Sequence, residues 1–213
     1  MKNIISTILF TLTITSCKSQ NPILPLDGGN TTYGSTKGAY YKDLNNFLNQ
    51  YEGTWLLDNG TTTLKIVLTK KVMFHKIAGL KQYYSDYIVG EYLYIENGIE
   101  KLNTLNNLQT DHTNIYNYGL VGNSQMPKDI YPKCNECATD EKRLNMKIFE
   151  PIVKDVEGLG GEMIARKYTE NGIEKLKIWF IPKGSSYGVT KEGKPTSITK
   201  HTIPYGEYIL VKQ

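Results

Sequence analysis

Apolar and polar residues follow two different periods along this chain. Tyr40, Leu44, Phe47 and Leu48 recur at helical spacing and predict one short amphipathic helix over 39–50. Beyond it the period drops to two. Thr62, Leu64, Ile66 and Leu68 alternate with Thr63, Lys65 and Val67, the pattern of a strand with one buried face. Leu176, Ile178 and Phe180 alternate in the same way with Lys175, Lys177 and Trp179 over 173–181. Strands of similar grade are predicted over 143–149, 163–169 and 205–212, and 83–95 reads as a strand that is aromatic on both faces, with Gly90 marking a bulge. Asn59-Gly60, Asn97-Gly98 and Asn171-Gly172 each lie between such runs, and Asn followed by Gly is the pair that best tolerates the positive φ of a tight hairpin turn. The heptapeptide 96–102 recurs unchanged as 170–176, which reads as one hairpin solution used twice. About ten short strands after one helix predict a mainly β fold, an antiparallel meander. With that many strands, closure into a barrel of about 8–10 strands is the way to hide the edges.

The first residues read as an address. Lys2 precedes an uncharged run over 4–15, too short to cross a hydrocarbon core as helix and typical of a secretory signal peptide over 1–16. Ile14-Thr15-Ser16-Cys17 resembles the lipobox of bacterial lipoproteins, in which the cysteine is acylated and becomes the mature N-terminus. The resemblance implies a membrane partner through lipid on Cys17, and several acyl chains hold far more firmly than one. Residues 17–39, rich in Gly, Pro, Ser and Thr, read as the acylated cysteine and a flexible tether, which leaves 40–213 as the barrel domain. An outer-membrane location follows, on either its periplasmic or its external face.

Gly53-Thr54-Trp55, followed by Asn59-Gly60 and an aliphatic strand, is similar to the Gly-x-Trp opening of lipocalin-like proteins, in which a helix or 3₁₀ turn caps one barrel end and the Trp packs beneath it. The lipobox, that opening, Cys134-Asn135-Glu136-Cys137 with Glu141-Lys142-Arg143-Leu144, and the terminal Pro204-Tyr205-Gly206-Glu207-Tyr208 together resemble a group of small Bacteroidota lipoproteins, a domain-of-unknown-function family with a lipocalin-like β-barrel. The resemblance spans nearly the whole mature chain. Unlike true lipocalins, this chain has no room for a helix after the last strand, and Thr110-Asp111-His112 matches their second motif only faintly.

Composition sharpens the picture at few points. The 213 residues carry 25 Lys+Arg against 21 Asp+Glu, a net charge of +4 without any basic stripe, so nucleic acid is not expected as a partner. Cys134 and Cys137 sit in a loop, where a disulfide is the simplest reading in an oxidising compartment. A zinc site would need two more ligands from His75, His112, His201 or a carboxylate at unpatterned spacing, and a redox dithiol would want a helix N-terminus. No phosphate loop, paired zinc histidines or nucleophile elbow appears, so neither a cofactor, a metal nor a catalytic residue is assigned. The outlying number is 16 tyrosines against 5 phenylalanines. Trp55, Tyr83, Tyr87, Tyr92, Tyr94, Tyr116 and Tyr118 fall in or beside strands, and they either line a pocket for a small amphipathic ligand or fill the core. The expected function is therefore a lipid-anchored envelope protein binding such a ligand in its barrel, with a packed interaction module as the alternative and an enzyme as the less favoured reading. Mass spectrometry of the mature protein from its source is expected to find acylated Cys17 at the N-terminus; an unmodified N-terminal residue would reject the anchor.

Overall fold

The computed structural model describes residues 21–26 and 33–213; residues 1–16, read as a signal peptide, and Cys17 lie outside them. Among the described residues, eleven strands form one sheet: β1 (Ile23–Pro25), β2 (Tyr40–Lys42), β3 (Gly53–Asp58), β4 (Thr62–Ala78), β5 (Lys81–Glu96), β6 (Ile99–Asn103), β7 (Leu120–Pro127), β8 (Lys142–Ile148), β9 (Gly160–Glu170), β10 (Ile173–Lys183) and β11 (Gly206–Lys212). Eight of them, in the order β5-β4-β3-β11-β10-β9-β8-β7, close into an antiparallel barrel when β7 returns to β5. The predicted barrel is present.

The predicted helix over 39–50 is not. Tyr40–Lys42 is a strand that pairs in parallel with β5, and only Leu48–Tyr51 turns, as a short 3₁₀ helix. The apolar spacing that suggested a helix instead reflects two separate contacts. Tyr40 and Tyr41 are buried beside β5, while Leu48 and Tyr51 are buried at the barrel end. Asp43 organises the crossing: its carboxylate accepts from the Phe47 and Leu48 amides at 2.9 Å and pairs with Lys70 at 2.9 Å. The 3₁₀ turn sits above Trp55, whose Nε1 donates to the Tyr51 carbonyl at 2.8 Å, the arrangement that the Gly-x-Trp resemblance implies. The sheet also reaches into the segment read as tether, since β1 pairs in parallel with β2 and Leu26 is buried.

The interior is packed. Trp55, Leu64, Ile66, Leu68, Ile88, Tyr92, Tyr94, Leu144, Met146, Met163, Leu176, Ile178, Phe180 and Leu210 belong to one buried cluster, drawn from seven of the eight barrel strands, with Leu120 of β7 completing the ring. Two smaller clusters lie against the outer surface. Tyr87, Val89, Ile115, Tyr118 and Val121 pack beneath a loop that carries 3₁₀ turns at Leu105–Gln109 and Ile115–Asn117. Ile164 and Trp179 pack beneath the loop closed by the Cys134–Cys137 disulfide. Arg143, fully buried, pins that second loop by donating to the carbonyls of Pro127, Ile130 and Pro132.

The two copies of the repeated heptapeptide form equivalent turns, with Asn97 and Asn171 at φ 51° and 52° and each following glycine also positive, although the first copy has a register shift at Tyr94/Ile95 that the second lacks. The third Asn-Gly hairpin uses a wider turn. Asn59 keeps negative φ and its side-chain oxygen accepts from the Thr61 and Thr62 amides, so a side-chain turn replaces the tight one. Gly90 marks no bulge. It lies at the closing seam, where Ile88–Gly90 meets Leu120–Gly122 over three residue pairs. A Cβ on Gly90 would come within 2.5 Å of Leu68 Cδ2 and 2.7 Å of the Val67 carbonyl, and one on Gly122 would overlap the Asn145 carbonyl and Met146. A methyl group at the seam therefore forces backbone apart. Gly122→Ala is expected to lose about 2–3 kcal/mol through overpacking and to lower the melting temperature by roughly 5–10 °C in a thermal unfolding scan, and an unchanged melting temperature would show that the seam is slack.

Candidate functional site

The seven aromatic residues nominated from sequence do not share one pocket, because β5 points its even and odd residues to opposite faces. Tyr92 and Tyr94 face inward and join Trp55 in the packed interior. Tyr87 and Tyr118 are buried in the outer cluster under the 3₁₀ turns, where Tyr118 donates to the Thr110 carbonyl at 3.1 Å and stands edge-on to His112 at 4.7 Å. Tyr116 is at the outer surface, and Tyr83 packs against Tyr41 at the fringe of the main cluster. Trp55, Tyr92 and Tyr94 fill the core; Tyr83, Tyr87 and Tyr116 border a groove, with Tyr118 buried beside it.

That groove runs along the outside of the seam, where three open clefts meet at Tyr116. The first, about 190 Å³, is lined by Tyr33, Tyr83, Tyr87, Asn123, Ser124 and Asn145. Its rings form a network: Tyr33 lies tilted against Tyr41 and edge-on to Tyr83 at centroid distances of 4.7 and 5.6 Å, and its hydroxyl touches Ser85 Oγ at 2.9 Å and the Tyr87 hydroxyl at 3.1 Å. Asn123 Nδ2 donates to the Tyr33 hydroxyl at 2.8 Å. Burial pushes the Tyr83 phenol up to about 12 and the Tyr87 phenol higher, so both are neutral donors at any physiological pH. Tyr116 itself is 42% exposed, with the Lys76 ammonium 3.6 Å from its ring centre and the Phe149 ring at 5.6 Å.

The second cleft, about 510 Å³, is polar. Its lining includes Asn103, Asn106, Asn107, His112, Asn117 and Lys154, and Glu91 lies at its floor. Glu91 Oε1 accepts from Asn107 Nδ2 at 2.6 Å and from the Gly119 amide at 2.8 Å. Because Asn107 donates through its amide nitrogen, its oxygen is left to accept from His112 Nε2 at 2.8 Å, which fixes the imidazole tautomer. Glu91 Oε2 has no hydrogen-bond partner although the residue is fully buried. Burial raises the Glu91 carboxyl above the usual glutamate range, against the pull of the Thr104 hydroxyl, the Gly119 amide and Asn107. The third cleft, about 480 Å³, brings together Lys147, Lys154, Lys183 and Lys191 with Asp155 and Glu162.

Two other polar groups are buried elsewhere. Glu150 accepts from the Thr202 and Ile203 amides at 2.8 and 3.2 Å, and His201 Nδ1 meets the Tyr205 hydroxyl at 2.8 Å while its Nε2 has no partner. Desolvation lowers His201 to about 4, so it is a neutral imidazole against the Phe180 ring. Among the described residues, no three His, Cys, Asp or Glu side chains come close enough to hold a metal ion. Cys134 and Cys137 form a disulfide.

Sequence reasoning passed over Glu91 and Asn107. The signal for Glu91 was present, as the lone charged residue among Tyr87, Ile88, Val89, Tyr92, Leu93 and Tyr94, a position that a solvated carboxylate would not occupy. Asn107 and His112 come from a loop with no pattern of its own.

The fold and this groove define a β-barrel protein with a solid interior and a lateral, tyrosine- and asparagine-lined surface site. The chain matches over residues 1–213 the model of a family of unknown function, DUF6705, and belongs to that family. No curated protein and no solved structure matches it.

The raised Glu91 carboxyl has a consequence for stability. The folded protein retains a proton that the unfolded chain has lost, so the Glu91 contribution is present at low pH and disappears as pH rises through the folded value. Glu91→Gln removes that dependence. Between about pH 4 and pH 8, denaturant unfolding is expected to show Glu91→Gln gaining stability relative to the wild type as pH rises. A constant difference between the two proteins across this range would mean that Glu91 ionises as freely in the fold as in the unfolded chain.

Proposed function

We propose that this protein is a lipid-anchored component of the cell envelope, held to an outer membrane through acylated Cys17, that binds a small amphipathic ligand in the groove outside its barrel. The observation that carries the reading is the division of the aromatic residues. Three of the nominated rings, Tyr83, Tyr87 and Tyr116, line clefts on the outer surface, Tyr83 from the fringe of the buried cluster, whereas Trp55, Tyr92 and Tyr94 are consumed in packing. Ring faces next to phenol hydroxyls and carboxamides suit a molecule with one apolar and one hydrogen-bonding face. The four lysines of the adjoining cleft outnumber its two acids, which favours a ligand carrying a negative group. The lipobox supports the anchor, and the signal-peptide pattern supports export.

A second reading, an interaction module that meets another envelope protein, is favoured by the same filled interior, because a solid barrel is a scaffold that leaves its whole outer surface for contacts. Native mass spectrometry of protein purified from its source separates the two. A retained small molecule, lost in Tyr116→Ala and kept in Tyr92→Phe, is the expected result. Retention governed by Tyr92 would move the site into the lumen, and a bare protein co-purifying with a stoichiometric protein partner would favour the interaction module.

A further inference from the structure

The β4–β5 hairpin outruns the barrel. β3 accompanies β4 only as far as Leu68, and β7 meets β5 only at Ile88–Gly90. Beyond that level β4 and β5 continue to the Gly79-Leu80 turn with only β2 beside β5 at Tyr84 and Ser85 among the described strands. Leu80 is 99% exposed at the turn, and Val72, Met73 and Ile77 on the same strand are 65%, 44% and 63% exposed. Aliphatic side chains at the free end of a protruding hairpin stand in water only if nothing covers them.

The charge around this tip is one-sided. No acidic residue occurs over 72–85, while Lys76 and Lys81 flank the turn. Lys37 joins them, because the next residue, Gly38, donates its amide to the Gln82 carbonyl at 2.7 Å. Tyr84, stacked on His75 at 4.9 Å, adds an aromatic ring at the same level.

The chain's exit lies at this end too. β1, β2 and β5 run in parallel, with Ile23 level with Tyr40 and Tyr40 level with Tyr84, only three residues from the start of β5. The start of β1 therefore faces the hairpin turn, two strand spacings or about 10 Å to the side. Cys17 precedes Asn21 by four residues, a span of at most about 14 Å. Asn21, four residues after Cys17 in the sequence, and the aliphatic tip thus lie at one end of the described structure.

We propose that the tip of the β4–β5 hairpin is a membrane contact in its own right: Leu80 and Ile77 enter the boundary of an anionic phospholipid surface while the exposed Lys37 and Lys81 meet its headgroups. Together with the anchor it sets one orientation of the barrel on the bilayer. That orientation rests on the acylation of Cys17; the contact of the tip does not.

The mature chain from residue 17, carrying Cys17→Ser so that no acyl group contributes, tests this by flotation with vesicles. It is expected to float with vesicles of equal parts phosphatidylcholine and phosphatidylglycerol, to be released by salt, and to stay behind with phosphatidylcholine alone. Leu80→Asp and Ile77→Asp are each expected to weaken partition about tenfold, and Lys81→Glu at least fivefold. Ile173→Asp, at a comparably exposed position on another hairpin, is expected to change nothing. Near-ultraviolet dichroism checks that each variant keeps the fold. The proposal is overturned if the chain fails to float, if both aspartate variants at the tip bind as well as their parent, or if they convert a dimer into a monomer by light scattering, which would make a second copy the occupant. Mass analysis of the native N-terminus reads the anchor separately.

Discussion

Closure of the barrel is the constraint on which the other features depend, and it is made by one strand. β5 gives its whole length on one edge to β4, but on the other edge it is shared in turn by β2, β7 and β6. Only three residue pairs of that second edge close the ring. So short a seam holds because the backbones approach closely, and Gly90, Gly119 and Gly122 are what permit it. A Cβ on Gly119 would press into Glu91 Oε2 and the Tyr92 ring, as those on the other two would press into β4 and β8. Glycine at the seam does not weaken the strand, since the closeness it allows lets Leu68, Leu120 and Met146 meet in the interior.

The same geometry places the groove. Because β7 contributes so little pairing to β5, the flanks of the seam are covered by something other than strands. The loop over 103–119 folds its 3₁₀ turns over Tyr87, Val89 and Val121, and in doing so brings Asn107 onto Glu91 and His112 onto Asn107. A carboxylate on the outer face of a barrel strand would ordinarily be solvated. Here the loop buries it, supplies two donors to one oxygen and none to the other, and raises its pKa. Arg143 does comparable work on the far side. Its guanidinium, buried against the Trp179 ring at 5.2 Å, is met by loop carbonyls, and the disulfide lies in the same cover. Losing that donor would leave several carbonyls unpaired, each costing about 1–3 kcal/mol if it stayed buried.

Two hairpins with the same sequence turn alike in this fold, while the long β4–β5 hairpin differs from both. The copies at 97–98 and 171–172 end in tight turns, and in the second copy Glu170 and Glu174 pair with Lys175, Lys167 and Lys212. The β4–β5 turn ends instead in a fully exposed Leu80, with Lys81 beside it and no acid in the sequence over 72–85. The β9–β10 end thus carries paired charges, while the β4–β5 end, beside the start of β1, carries an exposed aliphatic tip.

The alternation of side chains determined the strands, and asparagine followed by glycine determined where most of them turn, because both effects act within a few residues. Local chemistry also placed the Cys134–Cys137 bridge and the Trp55 opening. The helix expected over 39–50 failed for the opposite reason: Tyr40, Leu44, Phe47 and Leu48 share a spacing, yet Tyr40 and Leu48 are buried against different parts of the barrel while Leu44 is exposed. The tyrosine excess was visible as composition, but the face each ring takes depends on which strand lies beside β5, a contact between residues far apart in the chain. Glu91 reads from sequence as an oddity in an apolar strand. That its partners are Asn107, held in turn by His112, and the Gly119 amide follows only from a loop laid across a seam, since loop closure brings together residues that no local period connects.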